Sequence, residues 1–231
     1  MNGFELVSAT AIGNTHYLAR QNRQDALYVY ETDAQIAGVI CDGSSAYISS
    51  EVGATLAARI IHRVLIESQL STQLSSLITQ SLHEQLGALA SRFPDLFVFN
   101  IVAFSINQQS TTVLRLGDAV VMIDAIEAPR SSSNYFDFKN RRSNGFEEIT
   151  MSTCDWKSLL IASDGACEFD LRHSQLQADA EPLGKLENLL LLDQDGLTRK
   201  LQSAQQAFGS DGVGRSGILQ DDLSIIVVRR F

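Results

Sequence analysis

Apolar strands that end on a carboxylate recur through this sequence, and that recurrence limits the fold more than any other feature. Gln35 to Tyr47 reads QIAGVICDGSSAY. Ile36 to Cys41 suits a buried strand, Asp42-Gly43 breaks it, and a helical pattern begins near Ser50. Ser158 to Gly165 (SLLIASDG) repeats the design at Asp164-Gly165, and Leu114 to Asp118 (LRLGD) ends on an acid after Gly117. Asp221-Asp222 precede the strand Leu223 to Val228, and Gln24-Asp25 precede the strand Ala26 to Tyr30. A carboxylate just past a buried strand sits on a rigid mount with its oxygens facing out of the sheet. Gly43 can adopt backbone angles that turn its own carbonyl toward the same point. Oxygen donors of this kind suit a hard divalent cation, although strand–Asp–Gly is also an ordinary turn design. Five such positions, drawn from the whole length of the chain, are hard to explain as turns alone.

The elements around these acids give the fold class. Phe4–Ile12 predicts a strand, followed by a polar loop carrying His16, Arg20 and Arg23. Ala26–Tyr30 and Ile36–Cys41 are close enough for a hairpin. Helical spacing then runs through Val52, Leu56, Ile60 and Val64 within Ser50–Gln69, and through Leu74, Ile78, Leu82, Leu86 and Leu89 within Thr72–Arg92. Ser49 or Ser50 and Thr72 are suited to N-caps. Leu96–Ile106, Thr111–Leu116 and Val120–Ala125 predict consecutive antiparallel strands, and Glu147–Met151 and Lys157–Ala162 resume them. Pro129–Gly145, polar apart from an aromatic patch at Tyr135, Phe136 and Phe138, predicts a mobile loop. The stretch from Cys167 to Gln220 is mainly helical, most clearly at Leu197–Phe208. Strands, a helix pair, more strands, further helices and a last strand imply antiparallel sheets with helices outside, an α+β architecture. With no internal repeat, linker or low-complexity tract, residues 1–231 read as a single domain.

Composition narrows the function classes. With 45% hydrophobic and 19% charged residues, the chain has material for a substantial core. A formal net charge of −9 argues against non-specific nucleic-acid binding, which needs a basic face. Cys41, Cys154 and Cys167 are odd in number and show no paired spacing, so neither a disulfide framework nor a zinc site is expected, and a cytoplasmic setting is. The opening MNGFELVSATAIG has no basic region leading into an apolar core, and no apolar run has the length of a membrane span. No nucleic-acid or membrane partner is therefore expected, and the oligomeric state stays open.

The acids could hold one metal, hold two, or cap loops. Two divalent ions about 3.5–4 Å apart form a hydrolytic site by acidifying a shared water and neutralising phosphoryl charge. Without cations, clustered carboxylates would repel one another, and some would take up protons.

Four motifs, in order, resemble the metal-dependent protein phosphatases of the protein phosphatase 2C type: GNTHYLARQNRQDA, ICDGSSA before a helix, LRLGDAV, and IASDG with a late DDLSIIVV. The resemblance covers Gly13 to Val228. It implies two antiparallel sheets packed face to face with helices on both outer faces. It also implies a cytoplasmic phosphoserine/phosphothreonine phosphatase using a dinuclear-metal-activated water. Asp42 would bridge two Mg or Mn ions, with the Gly43 carbonyl on one of them. Asp164 and Asp221 would complete the second ion's shell, and Asp25 would serve the first. Asp118 matches a third, weaker position. Arg20 falls where many members place a phosphate-binding arginine, and the partner would be a phosphorylated protein.

The chain departs from the family pattern at several points. Ser44-Ser45-Ala46 replaces the common (His or Met)-Gly-Gly after Asp42-Gly43, so no histidine is available there as a general acid. Arg23 replaces a frequent asparagine, and Asn100 stands where threonine is common. The short interval from Asp118 to Asp164 leaves little room for the usual flap, as in the shorter branch of the family. Two alternatives therefore remain beside the phosphatase: a non-catalytic regulatory module of the same fold, and a hydrolase of small phosphate esters. Plainer readings hold elsewhere. His62 and His83 read as surface or packing residues, and His16 as a structural hydrogen-bond partner. Asp222 reads as serving the loop, and Asp195-Gly196 and Asp211-Gly212 as turns. Lys139, Arg141 and Arg142 form a basic cluster that reads as a solvated loop, or as a means of attracting an acidic phosphoprotein.

Overall fold

The computed structural model describes residues 1, 3–47, 49–68, 73–129, 135–138, 145–167, 185–205, 219 and 221–231. Among the described residues, eleven strands form two antiparallel sheets. In the first, β1 (Phe4–Ala11), β11 (Leu223–Arg230), β10 (Ser158–Ala162), β6 (Val120–Ile123) and β7 (Ile126–Glu127) lie in that order. In the second, β2 (Asp25–Glu31), β3 (Ile36–Gly43), β4 (Val98–Ile106), β5 (Ser110–Leu116) and β9 (Glu147–Ser152) follow one another, with β8 (Phe136–Asp137) also on β4.

The alternation of side chains along each central strand sets the layers. On β3, Ile36 and Ile40 enter the core between the sheets, while Ala37, Val39 and Cys41 face the outer helices. On β11, Ile226 and Val228 point inward and Ile225 and Val227 outward. Leu159 and Ile161 of β10 complete the inner layer against Phe104 and Val113. Helices α2 (Ser50–Glu67) and α3 (Leu74–Arg92) cover the second sheet. Helix α4 (Gln194–Gln205) and a 3-10 turn at Leu186–Leu191 cover the first. The result is the expected α+β sandwich with helices on both outer faces. No helix among the described residues is long and apolar enough to cross a membrane.

Several local expectations change. The loop after β1 contains a short helix, α1 (Asn14–Ala19), ending at Arg20 in the left-handed region. Of the expected stripe on α2, Ile60 is buried and Leu56 and Val64 pack against the core, while Val52 is 42% exposed; Ala54, Ala57, Ala58, Ile61 and Leu65 widen the buried face. The small residues among them bring the helix close to the sheet. On α3, Leu89 is exposed and Ala90 is buried instead. Ser49 precedes α2 without a side-chain cap, and Thr72 lies outside the described residues. Asp195-Gly196 lies in the first turn of α4, where Asp193 Oδ1 accepts the Gly196 amide at 2.7 Å.

The segment Pro129–Gly145 is anchored where it is described. Phe99 pairs with Phe136, and their rings stack at 5.4 Å with planes 2° apart. Phe138 meets both Phe136 and Phe97. Arg130, Lys139, Arg141 and Arg142 lie outside the described residues, as do His173 and Asp211-Gly212.

Gly38, mid-strand in β3, tests the packing between the sheets. A Cβ there would lie 2.6 Å from the Phe104 ring and 2.9 Å from Ile226 Cδ1. Gly38→Ala should cost about 1–3 kcal/mol in urea unfolding, the usual range for overpacking a core. Adding Phe104→Leu should cost less than the two separate changes combined, because the second opens room for the first. Strict additivity would show that the ring does not limit this site.

Candidate metal centre

The strand ends bring the acids to one end of the sandwich. Asp25 opens β2 directly opposite Asp42 near the end of β3, and Asp42 is in turn opposite Asn100 on β4. Asp118 follows β5 after Gly117, whose φ of 117° places the turn in a region that favours glycine. A Cβ at Gly117 would also sit 2.3 Å from Asn100 Oδ1. Asn100 Nδ2 donates to Asp118 Oδ1 at 2.8 Å, so the second sheet orients its own last acid. From the other sheet, Asp164 opens a 3-10 turn beyond β10, and Asp221 stands just before β11. Gly165 fits this junction because its α-carbon faces the Asp222 carbonyl; a Cβ would approach that oxygen to 2.1 Å.

Asp42, Gly43, Asn100, Asp118, Asp164 and Asp221 line a pocket of about 210 Å³, with Ser44, Ser45, Phe99 and Tyr135 completing its wall. Asp25 lies behind it, only 4% exposed. Ser163 joins the two sheets there: its Oγ donates to Asp25 Oδ2 at 2.7 Å and accepts the Ser224 amide at 2.9 Å. Asp25 Oδ1 is buried without a hydrogen-bond partner.

Burial and mutual repulsion raise the proton affinity of these acids. Burial is the largest cause for Asp25, whose pKa rises to about 6 with the Asp222 charge adding to it and the Ser163 bond opposing it. Burial likewise lifts Asp164 to about 7, with Asp221 and Asp118 contributing. Asp42 is held well above the usual carboxylate range by burial and by Asp25, Asp164 and Asp221. Asp221 is raised by burial, with the Asp222 amide opposing at 2.8 Å. Carboxyls crowded in this way take up protons while no cation is present.

Among the described residues no three acidic, histidine or cysteine side chains are already drawn to one point at ligating distance. The donor set nevertheless fits hard divalent cations. It offers only oxygens, carries excess negative charge, raises the proton affinity of its own acids, and leaves one buried carboxylate oxygen unpartnered.

Arg20 is not gathered with the acids. Its side chain is exposed and lines a neighbouring pocket of about 250 Å³ that shares Ser45 with the acidic one. Arg23 is engaged structurally, donating through Nε to the Asp25 carbonyl at 3.1 Å and through its guanidinium to Thr10 Oγ1. Asp222 supports the site from within. It accepts the Gly13 amide at 2.7 Å and the Gln24 amide at 2.5 Å, and its Oδ2 lies 3.0 Å from His16 Nδ1. The acid after Asp221 therefore holds the loop that leads to Asp25, and His16 has the structural role its position suggested. Ser163 and Asn100 are the supports that sequence reasoning left without a role. Their only signal is position, as polar residues at the ends of otherwise apolar strands.

The raised pKa values fix a pH dependence. An acid whose folded pKa exceeds its unfolded value stabilises the fold below the unfolded pKa, and that contribution is lost as pH rises through the folded value. Metal-free protein should therefore lose stability from about pH 4 to about pH 7. Thermal unfolding in EDTA should show a Tm at least about 5 °C lower at pH 8 than at pH 5, on the basis of roughly 2–4 °C per kcal/mol for a chain of this size. Adding Mn²⁺ should recover most of the loss at pH 8. A flat Tm across this range would show that the carboxylates do not bear this repulsion.

Known structures share the fold at low sequence identity. A single-residue variant of a bacterial serine phosphatase superposes with a TM-score of 0.68 at 14% identity, covering 100% of both chains. The serine/threonine phosphatase Stp1 from Staphylococcus aureus gives 0.65 at 14%, covering 99% of this chain and 95% of its own. The catalytic domain of the serine threonine protein phosphatase PstP, solved with two manganese ions, gives 0.60 at 13%, covering 98% and 97%. No curated protein sequence matches. The family model described as protein phosphatase 2C matches residues 12–205, a span that includes Asp25, Asp42, Asp118 and Asp164. On that match the chain belongs to the protein phosphatase 2C family, the metal-dependent serine/threonine protein phosphatases.

Proposed function

We propose that this chain dephosphorylates phosphoserine and phosphothreonine in a protein substrate, in the cytoplasm, with two Mg²⁺ or Mn²⁺ ions held by its strand-end acids. The observation that carries this reading is the convergence of Asp42, Asp118, Asp164 and Asp221 on one pocket, with Asp25 directly behind Asp42. In this reading Asp42 and the Gly43 carbonyl would hold the ions together with Asp164 and Asp221 from the other sheet, and Asp25 would serve from behind. Asp118, oriented by Asn100, suits a third, weaker position. When bound, the ions would acidify a water and neutralise charge on the phosphoryl group. The chain's own contribution is to fix these donors on two rigid sheets and to hold part of the site away from bulk water. Among the described residues that line the pocket there is no histidine.

Arg20 enters from the neighbouring pocket. Its exposed guanidinium has no acidic partner among the described residues, so it is available to pair with a substrate phosphate through forked hydrogen bonds. Manganese in the PstP structure supports the choice of cation for the family.

Two substitutions test the assignment. Asp42→Asn should lower kcat on p-nitrophenyl phosphate at saturating Mn²⁺ by at least about a hundredfold, because it weakens a ligand common to both ions. The variant should keep its circular dichroism spectrum, since losing one buried charge relieves repulsion. Near-normal turnover would remove Asp42 from the site, and inactivity of the unsubstituted chain would favour the non-catalytic module. Arg20→Ala should raise KM for a phosphopeptide about tenfold with little change in Mn²⁺ affinity, and Arg20→Lys should recover only part of the loss. An unchanged KM would take Arg20 out of phosphate binding.

A further inference from the structure

The second pocket has features that the proposed chemistry does not use. It shares Ser45 with the acidic pocket, and its wall includes Arg20, Asn22, Gln24, Tyr47 and Glu51. Gln24 is only 6% exposed. Its Nε2 donates to the Tyr47 carbonyl at 3.3 Å, which fixes the orientation of the amide. Its Oε1 is left buried with no hydrogen-bond partner. Buried acceptors are normally satisfied, and one that is not calls for an explanation such as a ligand that donates to it.

The acceptor is rigidly placed. The Gln24 amide donates to Asp222 Oδ2 at 2.5 Å, and the Gln24 carbonyl accepts the Gly43 amide at 3.2 Å. It therefore belongs to the same frame as Asp25 and Asp42. Across the pocket, Glu51 lies in the first turn of α2 and accepts Asn22 Nδ2 at 3.3 Å through Oε1. The pocket thus pairs a buried neutral acceptor with an ionised one, beside a centre that is itself acidic.

We infer that this pocket is a substrate subsite for a basic side chain, Lys or Arg, close in sequence to the phosphorylated residue; the inference rests on the phosphatase reading above. An ammonium or guanidinium group supplies the donor that Gln24 Oε1 lacks and places its charge beside Glu51. An acidic side chain would meet Arg20, but it would leave Gln24 Oε1 unpaired and face the Glu51 carboxylate. Arg20 opposes a cation in the pocket only while its own charge is free. Pairing with the substrate phosphate removes that opposition, so the two contacts favour each other.

Equilibrium binding to the full chain with Mn²⁺ tests this without requiring turnover. The probes are fluorescein-labelled peptides carrying a non-hydrolysable phosphonate in place of phosphoserine, with Lys, Ala or Glu placed in turn at each position on either side. At one or more positions Lys should bind about fivefold to tenfold tighter than Ala, and Glu weaker than Ala, as for a charge-assisted hydrogen bond in a partly open site. Glu51→Gln, which keeps an acceptor for Asn22, should abolish most of the Lys preference, and Glu51→Lys should turn it into a preference for Glu. Equal affinities for the three peptides at every position, or a Lys preference unchanged in both Glu51 variants, would overturn the subsite. Hydrolysis of p-nitrophenyl phosphate by the unsubstituted chain reports separately on the phosphatase reading. Binding preference without hydrolysis would keep the subsite and discard that reading, whereas hydrolysis without preference would do the reverse.

Discussion

Asp42 and Asp25 face each other across adjacent strands, both at the end of a buried sheet, and much of the site can be understood as a response to that juxtaposition. One pKa unit corresponds to about 1.4 kcal/mol between protonation states. Raising Asp25 from 3.8 to about 6 and Asp164 from 3.8 to about 7 therefore implies an opposing electrostatic energy on the order of a few kcal/mol for each ionised group. Domain stabilities of roughly 5–15 kcal/mol leave limited room for several such groups at neutral pH. Proton uptake relieves the strain in the metal-free chain, and divalent cations would relieve it more completely. Packing alone could have been obtained more cheaply with apolar residues, so the acids make physical sense only in relation to a cation.

The rest of the site holds this unfavourable cluster in place. Ser163 bonds Asp25 and receives the Ser224 amide, tying the two sheets together where repulsion would part them. Asn100 fixes Asp118 from the neighbouring strand. Asp221 and Asp222 are adjacent in sequence but have opposite duties. Asp221 faces the pocket, while Asp222 is 2% exposed and accepts two backbone amides from the loop before β2. That buried anion is satisfied locally, as buried charges must be. Through it the last strand holds the segment that carries Arg20, Arg23 and Gln24.

The layout of the sheets is legible because its central strands are continuous apolar runs. Such runs identify β3, β10 and β11, and an acid beside each marks a common rim. Contacts that depend on register were less legible. Nothing local in Asn100 or Asp118 says that a side chain from β4 reaches the acid after β5. The stripe of large residues marks only part of the buried face of α2, because Ala54, Ala57 and Ala58 also lie against the core, and Val52 at its start is exposed. Arg20 is assigned by motif position alone; it stands at the left-handed turn that ends α1 and lines the neighbouring pocket, a placement that no periodic pattern encodes.

The aromatic patch bears on how a substrate meets this surface. Tyr135 forms part of the acidic pocket's wall, and the next residue, Phe136, is 1% exposed and stacked on Phe99. Arg115, also 1% exposed, donates to the Pro129 carbonyl and bonds Glu147 at 2.7 Å, clasping the two chain segments that flank this region. A wall built on stacked core aromatics and an ion pair whose guanidinium is buried resists displacement, since moving it would open the core and strand that guanidinium. Discrimination at Tyr135 must then come from shape and from the groups already facing the pocket. Ser44 and Ser45 also line this pocket with small polar side chains, and Ser45 is shared with the pocket that contains Gln24 and Glu51. The polar part of the wall is therefore where chemical differences among substrates can be read, and the aromatic part supplies the surface against which they are held.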